Sequence, residues 1–176
     1  MVRGVFPGRF QPPHYGHLKA VKWALEKVVD ELIIVIGSAQ DSFSLKNPLT
    51  AGERFLLLRS LLESEAPHYV DRVLIVPVMD INSNKQWVKY LEMLLPPFDL
   101  AVSGNPLVQL LFEDAGYRAV SPPMFSREKC SGTRIREEAM RGGEWEDCVP
   151  EVILDRLTSM GFAERLQRLY RGDEYV

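Results

Sequence analysis

The fold is decided by residues 2–28, which read VRGVFPGRFQPPHYGHLKAVKWALEKV. The apolar run Val2–Pro7 predicts a strand, and the apolar residues of Leu18–Val28 recur at helical spacing and predict a helix. Between them, the turn Gly8–His17 holds two of the chain's three histidines and an arginine. Because a strand-to-helix turn presents free backbone N–H groups and a helix N-terminus, this segment is expected to bind phosphate.

Glycine and proline shape this turn. Gly8 allows close approach of the backbone, whereas Pro12 and Pro13 remove N–H donors and stiffen the loop. Gly16 has no β-carbon and leaves room between the two imidazoles. The turn is therefore expected to hold something as bulky as a nucleoside triphosphate.

The composition is that of an ordinary globular chain. Its 176 residues predict one domain, residues 1–176, and they are 46% hydrophobic and 26% charged. A net charge of −3 argues against a general nucleic-acid surface, which would need a basic face. No apolar run approaches the roughly 18 residues that span a bilayer, and no leader precedes the first strand. We therefore expect a cytoplasmic protein without membrane contact.

The two cysteines, Cys130 and Cys148, suggest neither a disulfide framework nor a metal-ligand spacing. We expect both thiols to be reduced and to act as small apolar side chains. Cys130 adjoins Ser131, but no basic partner is evident that would make it a nucleophile. We also expect no metal ion held by the protein's own side chains.

Apolar runs alternate with helical patterns along the chain, which predicts a Rossmann-like α/β fold with a doubly wound, mainly parallel sheet. A helical C-terminal extension is expected from about residue 150 to residue 176. The predicted strands are Val2–Pro7, Glu31–Gly37, Arg72–Val78, Leu100–Ser103 and Arg118–Ser121.

Capping residues mark where three helices begin. Thr50 and Glu53 form a capping box, and Asn105 precedes a proline at the first helical position. Ser131 is expected to cap a helix that runs to Arg141 and ends at Gly142.

The loops that follow the predicted strands should share one face of the sheet, where doubly wound proteins bind ligands. The chain contains neither a Gly-x-Gly-x-x-Gly sequence nor a Walker-type loop, so hydride transfer and P-loop chemistry are not indicated. The phosphate site must therefore consist of the histidine turn and the helix that begins at Ser131.

Two motifs in this chain resemble the signature of the nucleotidyltransferase superfamily. The first is His14-x-Gly16-His17 after Gly-Arg-Phe-x-Pro, and the second is Ser131-x-Thr133-x-x-Arg136. Four further stretches look like those of archaeal-type nicotinamide-mononucleotide adenylyltransferases: residues 36–40, 47–54, 96–99 and 103–108. The resemblance runs from about Arg3 to the late 160s.

This resemblance implies transfer of AMP from ATP to nicotinamide mononucleotide, giving NAD and pyrophosphate, with Mg²⁺ carried by ATP. It implies catalytic roles for His17, His14, Arg9 and Arg136, which would donate hydrogen bonds to the triphosphate. The residues it implies for ATP binding are Gly8, Arg9, Phe10, His14, Gly16, His17, Lys46, Gly104, Asn105, Arg127, Ser131, Gly132, Thr133 and Arg136.

The acceptor site implied by the resemblance consists of Ser38, Asp80, Ile81, Asn84 and Trp87. Trp87 would stack on the nicotinamide ring, with Asn84 near the carboxamide. An aromatic residue at the start of a helix is, however, more often part of the core, and that interpretation stays open.

Two helices are more apolar than one buried face requires, around residues 55–62 and 107–112. Such helices are either buried all round or packed against another subunit. The resemblance, whose known relatives include hexamers, favours a homo-oligomer.

Other functions stay open on the sequence. The same fold could transfer a nucleotide to phosphopantetheine, or from CTP to a sugar or alditol phosphate. A class I aminoacyl-tRNA synthetase fragment would share the histidine motif, but this short acidic chain has no room for tRNA. A non-catalytic NAD- or ATP-sensing module is also possible, although a sensor need not keep transition-state donors.

Overall fold

The centre of the protein is a parallel sheet of five strands, seen in a computed structural model that describes residues 1–123 and 130–173. Each strand lies within one residue of its predicted position, so the predicted Rossmann-like fold is confirmed. The strands are β1 (Arg3–Gly8), β2 (Glu31–Ile36), β3 (Val73–Pro77), β4 (Leu100–Val102) and β5 (Arg118–Val120). They lie in the order β3-β2-β1-β4-β5.

Within the described residues, seven α-helices connect or follow these strands. They are α1 (Tyr15–Lys27), α2 (Ala51–Glu65), α3 (Asn84–Leu94), α4 (Pro106–Asp114), α5 (Gly132–Arg141), α6 (Glu151–Ser159) and α7 (Phe162–Asp173). Short 3-10 turns occupy Pro67–Arg72 and Glu146–Cys148. None of the helices in the described ranges is long and apolar enough to cross a membrane.

The predicted caps are confirmed. The Thr50 hydroxyl accepts from the Glu53 backbone N–H, and the Glu53 carboxylate accepts from the Thr50 N–H. Asn105 accepts from the N–H of Leu107, and Ser131 accepts from the N–H of Arg134. Each of these three helices, α2, α4 and α5, therefore begins where its cap pairs an otherwise unpaired N–H donor.

The sheet separates two apolar cores, because alternate residues of each strand face opposite sides. Leu32 and Ile34 of β2 pack toward α1, α2 and the C-terminal helices. Ile33 and Val35 pack toward α3 and α4. The uninterrupted apolar sequence of β2 is thus explained by burial on both faces.

The two strongly apolar helices differ in their surroundings. Leu57, Leu58 and Leu61 of α2 are buried in the chain's own core. In α4 only Phe112 is buried, while Leu107 is 49% and Leu110 60% exposed. Most of α2 therefore belongs to the core, whereas α4 has an apolar side that none of the described residues covers.

The expectation of reduced cysteines is wrong, because Cys130 and Cys148 form a disulfide. Cys130 lies just before α5, and Cys148 lies in the 3-10 turn that follows it. After α5 the chain folds back, so residues 18 apart in sequence come together. This pairing could not be predicted from the sequence, because the spacing of two cysteines does not show that the chain folds back between them.

Removing the disulfide should destabilise the fold. Closing a loop of this length restricts the unfolded chain by about 3 kcal/mol, so Cys148→Ser should lower the free energy of unfolding by a similar amount. Guanidinium unfolding without reductant measures this difference. Dithiothreitol should bring the wild type to the level of the variant and leave the variant unchanged; two free thiols in the native wild type by mass spectrometry would contradict the prediction.

Candidate functional site

A cavity of about 300 Å³ lies at the carboxyl ends of β1 and β4. It occupies the point where the strand order reverses, since β1 is followed by β2 on one side and pairs with β4 on the other. Several residues expected to bind ATP line it: Gly8, His14, Gly16, His17, Gly104, Asn105, Ser131 and Gly132. The cavity is also lined by Phe6, Pro7, Ala20, Ser103, Ser121, Pro122, Pro123 and Cys130.

The two histidines lie together at the start of α1. Their ring centroids are 3.8 Å apart, and His14 is almost fully buried as the N-cap. His14 Nδ1 accepts from the Gly16 N–H at 3.0 Å, and His17 Nδ1 accepts from the His14 N–H at 3.2 Å. Because each Nδ1 is an acceptor, the neutral rings carry their protons on Nε2. Both imidazoles are thereby fixed as Nε2–H donors.

The Phe10 ring packs against the His17 ring of the histidine pair. Phe10 adopts a left-handed backbone with φ of 52°, and its buried ring lies 4.6 Å from the His17 ring. A β-carbon on Gly8 would lie 2.9 Å from the Phe10 ring, so the glycine makes space for it. Gly8 was expected to serve close backbone approach to ligand and Phe10 to bind ATP, but the Phe10 side chain lies in the core.

The second motif forms the opposite wall. Ser131 caps α5, so the positive end of that helix dipole lies at the cavity. A β-carbon on Gly132 would lie 3.3 Å from the Gln11 carbonyl oxygen, so α5 packs closely on the histidine turn there. The two predicted phosphate-binding segments are therefore in direct contact.

Arg136 and Arg9 lie beside the cavity rather than in its lining. Arg136 is buried, and it donates to the carbonyls of Gln11 at 2.8 Å and Leu45 at 3.2 Å and to the Thr133 hydroxyl at 3.3 Å. Burial, with help from the charge of Arg9, lowers the pKa of Arg136 to about 10. The guanidinium thus stays charged at neutral pH.

Lys46 and Arg127 were also expected to contact ATP. Lys46 is exposed in the loop between β2 and α2, outside the cavity lining. Arg127 lies outside the described residues.

The predicted acceptor residues lie on the other side of β1, after β2 and β3. Ser38 has a left-handed φ of 49°, and its N–H donates to the Asp80 carboxylate. Gln40 donates to the same carboxylate and accepts from the Asp80 N–H. Burial opposes the ionisation of Asp80, but these hydrogen bonds and the charge of Arg54 outweigh it and hold the Asp80 pKa below its ordinary value.

Trp87 is half-buried in α3 and meets the Phe112 ring edge-on, with centroids 5.8 Å apart. Asn84, at the start of the same helix, is exposed, and Ile81 is partly buried before it. None of the five predicted acceptor residues lines the cavity between β1 and β4. The residues expected to bind the two substrates therefore form two groups flanking β1.

Sequence analysis missed two buried polar residues, Gln11 and Arg54. The Gln11 amide donates to and accepts from the backbone of Leu49, and the Arg54 guanidinium is fully buried behind β1 and β2. A signal for Arg54 was present, because it lies three, four and seven residues before Leu57, Leu58 and Leu61 on the buried face of α2.

Comparison with known proteins gives a consistent set of relatives. Residues 5–138 match the cytidylyltransferase-like family. A nicotinamide-nucleotide adenylyltransferase of Aeropyrum pernix is 54% identical over 96% of this chain and 98% of its own length. Its counterpart in Ignicoccus hospitalis is 47% identical over 98% of this chain and all of its own length, 100%.

Solved structures share the fold at lower identity. A bifunctional NMN adenylyltransferase/ADP ribose pyrophosphatase from Francisella tularensis, complexed with AMP and a manganese ion, superposes with a TM-score of 0.77 at 22% identity. The match covers 99% of this chain and 53% of that one. A nicotinic acid mononucleotide adenylyltransferase of Plasmodium falciparum gives a TM-score of 0.65 at 11% identity, over 92% of this chain and 96% of its own.

Proposed function

The chain belongs to the cytidylyltransferase-like family, and we propose that it is a nicotinamide-nucleotide adenylyltransferase that transfers AMP from ATP to nicotinamide mononucleotide. The products are NAD and pyrophosphate, so the enzyme serves NAD biosynthesis. The observation that carries this function is the histidine pair, fixed as Nε2–H donors between two helix N-termini, in a chain 54% identical to a named relative. We place the enzyme in the cytoplasm, where its donor substrate ATP is made.

The reaction is a displacement at the α-phosphorus of ATP. An oxygen of the mononucleotide's phosphate forms the new bond to that phosphorus, and the bond to the oxygen bridging toward the β-phosphorus breaks. Pyrophosphate leaves with the electron pair. Because the attacking phosphate is already ionised at neutral pH, no general base is needed. Catalysis requires alignment of two anions and stabilisation of charge at the α-phosphate and the leaving group.

The proposed donors surround the ATP side of β1. His14 and His17 would donate from Nε2 to the triphosphate, with His17 nearest the α-phosphate. Arg9 and Arg136 would neutralise the β- and γ-phosphates, and the first N–H groups of α5 would add a fixed partial positive charge. Lys46, at the rim, would add a flexible charge.

We propose that Mg²⁺ enters with ATP as part of the substrate. Phosphate oxygens and water are ligands that Mg²⁺ prefers, and the ion would neutralise charge on the triphosphate. Within residues 1–123 and 130–173, no group of three or more His, Cys, Asp or Glu side chains could hold a metal ion alone. The site residues therefore fit an ion that the nucleotide itself carries.

The acceptor is tested by assaying pyrophosphate release from ATP with one acceptor at a time. Nicotinamide mononucleotide should support turnover, whereas phosphopantetheine should not, and CTP with a sugar phosphate should release no pyrophosphate. Clear turnover of another phosphate acceptor, with no binding of nicotinamide mononucleotide at millimolar concentration, would overturn the substrate and keep the reaction class.

His17→Ala should lower kcat by about 10²-fold or more, because it removes one donor to the charge that develops at the α-phosphate. The affinity for ATP should change less, since the donor acts mainly in the transition state. Steady-state kinetics and calorimetric titration with ATP measure the two effects. His68→Ala is the matched control, since His68 is exposed on a turn before β3. An unchanged kcat for His17→Ala would refute the role.

Trp87→Ala should raise the KM for nicotinamide mononucleotide from a few-fold to roughly tenfold, because stacking on an indole is worth about 0.5–1.5 kcal/mol. ATP binding should stay nearly intact, since the predicted acceptor residues lie on the other side of β1. Trp87→Phe keeps an aromatic face and should recover part of the affinity. If the alanine variant keeps its KM and only loses thermal stability, Trp87 is a packing residue.

The exposed apolar side of α4 is proposed to form an interface between copies of this chain. Leu110 is 60% and Leu107 49% exposed, and such a surface is rarely left to water by a monomer. Light scattering on dilute protein should therefore give a multiple of 20.1 kDa. Leu110→Glu should reduce the particle mass, whereas Lys89→Glu on α3 should not. A wild type that scatters as a monomer at every concentration would exclude the oligomer.

A further inference from the structure

Arg54 is a fully buried arginine whose hydrogen bonds to the described residues all go to backbone carbonyls. Its Nη1 donates to the carbonyls of Arg9 at 2.9 Å and Gly37 at 2.7 Å. Its Nη2 donates to the Ser38 carbonyl at 2.9 Å, and its Nε donates to the Thr50 carbonyl at 3.3 Å. One side chain thus ties together the residues that follow β1 and β2 and the N-terminus of α2.

No carboxylate pairs directly with this guanidinium among the residues the structure describes. Burial lowers the Arg54 pKa below its ordinary value, and the nearby charge of Arg9 acts in the same direction. The charges of Asp41 and Asp80 act in the opposite direction and are outweighed. Since a buried charge without an anionic partner is costly, packing alone does not account for an arginine here. The charge therefore points to a role besides packing.

The carbonyls that Arg54 binds affect the electrostatic potential at the proposed phosphate site. Strands β1 and β2 run parallel, so their last carbonyl groups meet at the edge of the sheet where substrate phosphates must lie. Carbonyl oxygens carry partial negative charge and would repel phosphate. Arg54 satisfies three of them, those of Arg9, Gly37 and Ser38, and adds a full positive charge behind them.

Arg54 also joins the two groups of predicted substrate contacts. On one side it holds the backbone of Arg9, a predicted triphosphate contact. On the other it holds Ser38, whose left-handed backbone directs its N–H to Asp80. One guanidinium therefore bridges the ATP side and the acceptor side of β1, in addition to the backbone hydrogen bond from the Gly37 N–H to the Gly8 carbonyl.

We propose that Arg54 is a positioning residue for the transfer reaction, which fixes the spacing of the two substrates and cancels the carbonyl charge at the ends of β1 and β2. This role rests on the proposed function, because it presumes that anionic substrates meet at these strand ends. Because Arg54 is fully buried, it would act on the substrates through the backbone it holds and not by direct contact.

The test compares Arg54→Lys with Arg59→Lys. Arg59 lies on the same helix, is exposed, and pairs with Glu63 on the surface, so it is a matched control. Lysine keeps the charge at position 54 but cannot bind the carbonyls in the fork geometry of a guanidinium. Because a misplacement of about 1 Å can cost 10²-fold in rate, kcat should fall about 10²-fold for Arg54→Lys and stay unchanged for Arg59→Lys. The KM values of both substrates should rise together.

A purely structural arginine would behave differently. It would lower the melting temperature and reduce kcat only in proportion to the folded fraction, with both KM values unchanged, and this result would overturn the proposal. If Arg54→Lys does not fold, Arg54→Met is used instead, because its unbranched apolar side chain fills the buried space. The methionine variant should lose about 10²-fold or more in kcat relative to Arg59→Lys, since it lacks both charge and donors.

Calorimetric titration with ATP alone separates this proposal from the proposed function. If the wild type releases no pyrophosphate with nicotinamide mononucleotide, the substrate is wrong. The affinity for ATP then tests the role of Arg54. If Arg54 positions the site, the folded Arg54 variant should bind ATP at least several-fold more weakly than Arg59→Lys does. Equal ATP affinities in the two variants would refute it.

Discussion

The parallel pairing of β1 with β2 on one side and β4 on the other is the constraint on which the rest of the structure depends. Because β2 and β4 lie on opposite sides of β1, the loops that follow β1 and β4 run in opposite directions and leave a crevice between them. The histidine turn and the start of α5 fill its two sides. The sheet thus places two helix N-termini against one cavity in a protein whose net charge is −3. The positive potential that phosphate requires is local and comes from groups held at this edge.

Arginine-to-carbonyl hydrogen bonds fix the loop between β2 and α2. Arg54 holds its two ends, Arg136 holds Leu45, and Arg165 of α7 holds Pro48. Arg165 also forms a bidentate ion pair with Glu53, and this pair holds the Glu53 pKa below its ordinary value. A carboxylate with a lowered pKa stabilises the fold above its unfolded pKa and loses that contribution as the pH falls through its folded one. The C-terminal helices therefore support the site although they do not line it.

Much of this architecture could be predicted from the sequence. The capping box at Thr50, the cap at Ser131 and the helix end at Gly142 depend on interactions within a few residues, so a local pattern specifies them. The strands pair with residues far away in sequence, but their apolar runs mark them locally. The two motifs predicted to bind phosphate lie in such local elements as well. Their meeting at one edge followed from the general geometry of parallel sheets, in which the carboxyl ends of all strands face the same way.

Other features were decided only by the tertiary structure, because they join residues far apart in sequence. Arg54 was noted only as the end of the stretch 47–54 that resembles the family, and its hydrogen bonds became visible only where β1 and β2 bring three carbonyls to its guanidinium. The disulfide needed the return of the chain after α5, which no spacing of two cysteines reveals. The sequence by itself thus determined the elements and the chemistry they carry, through short-range hydrogen bonds and periodicity. The tertiary structure decided which buried groups hold those elements in place, since their partners are backbone atoms that have no signature in the sequence.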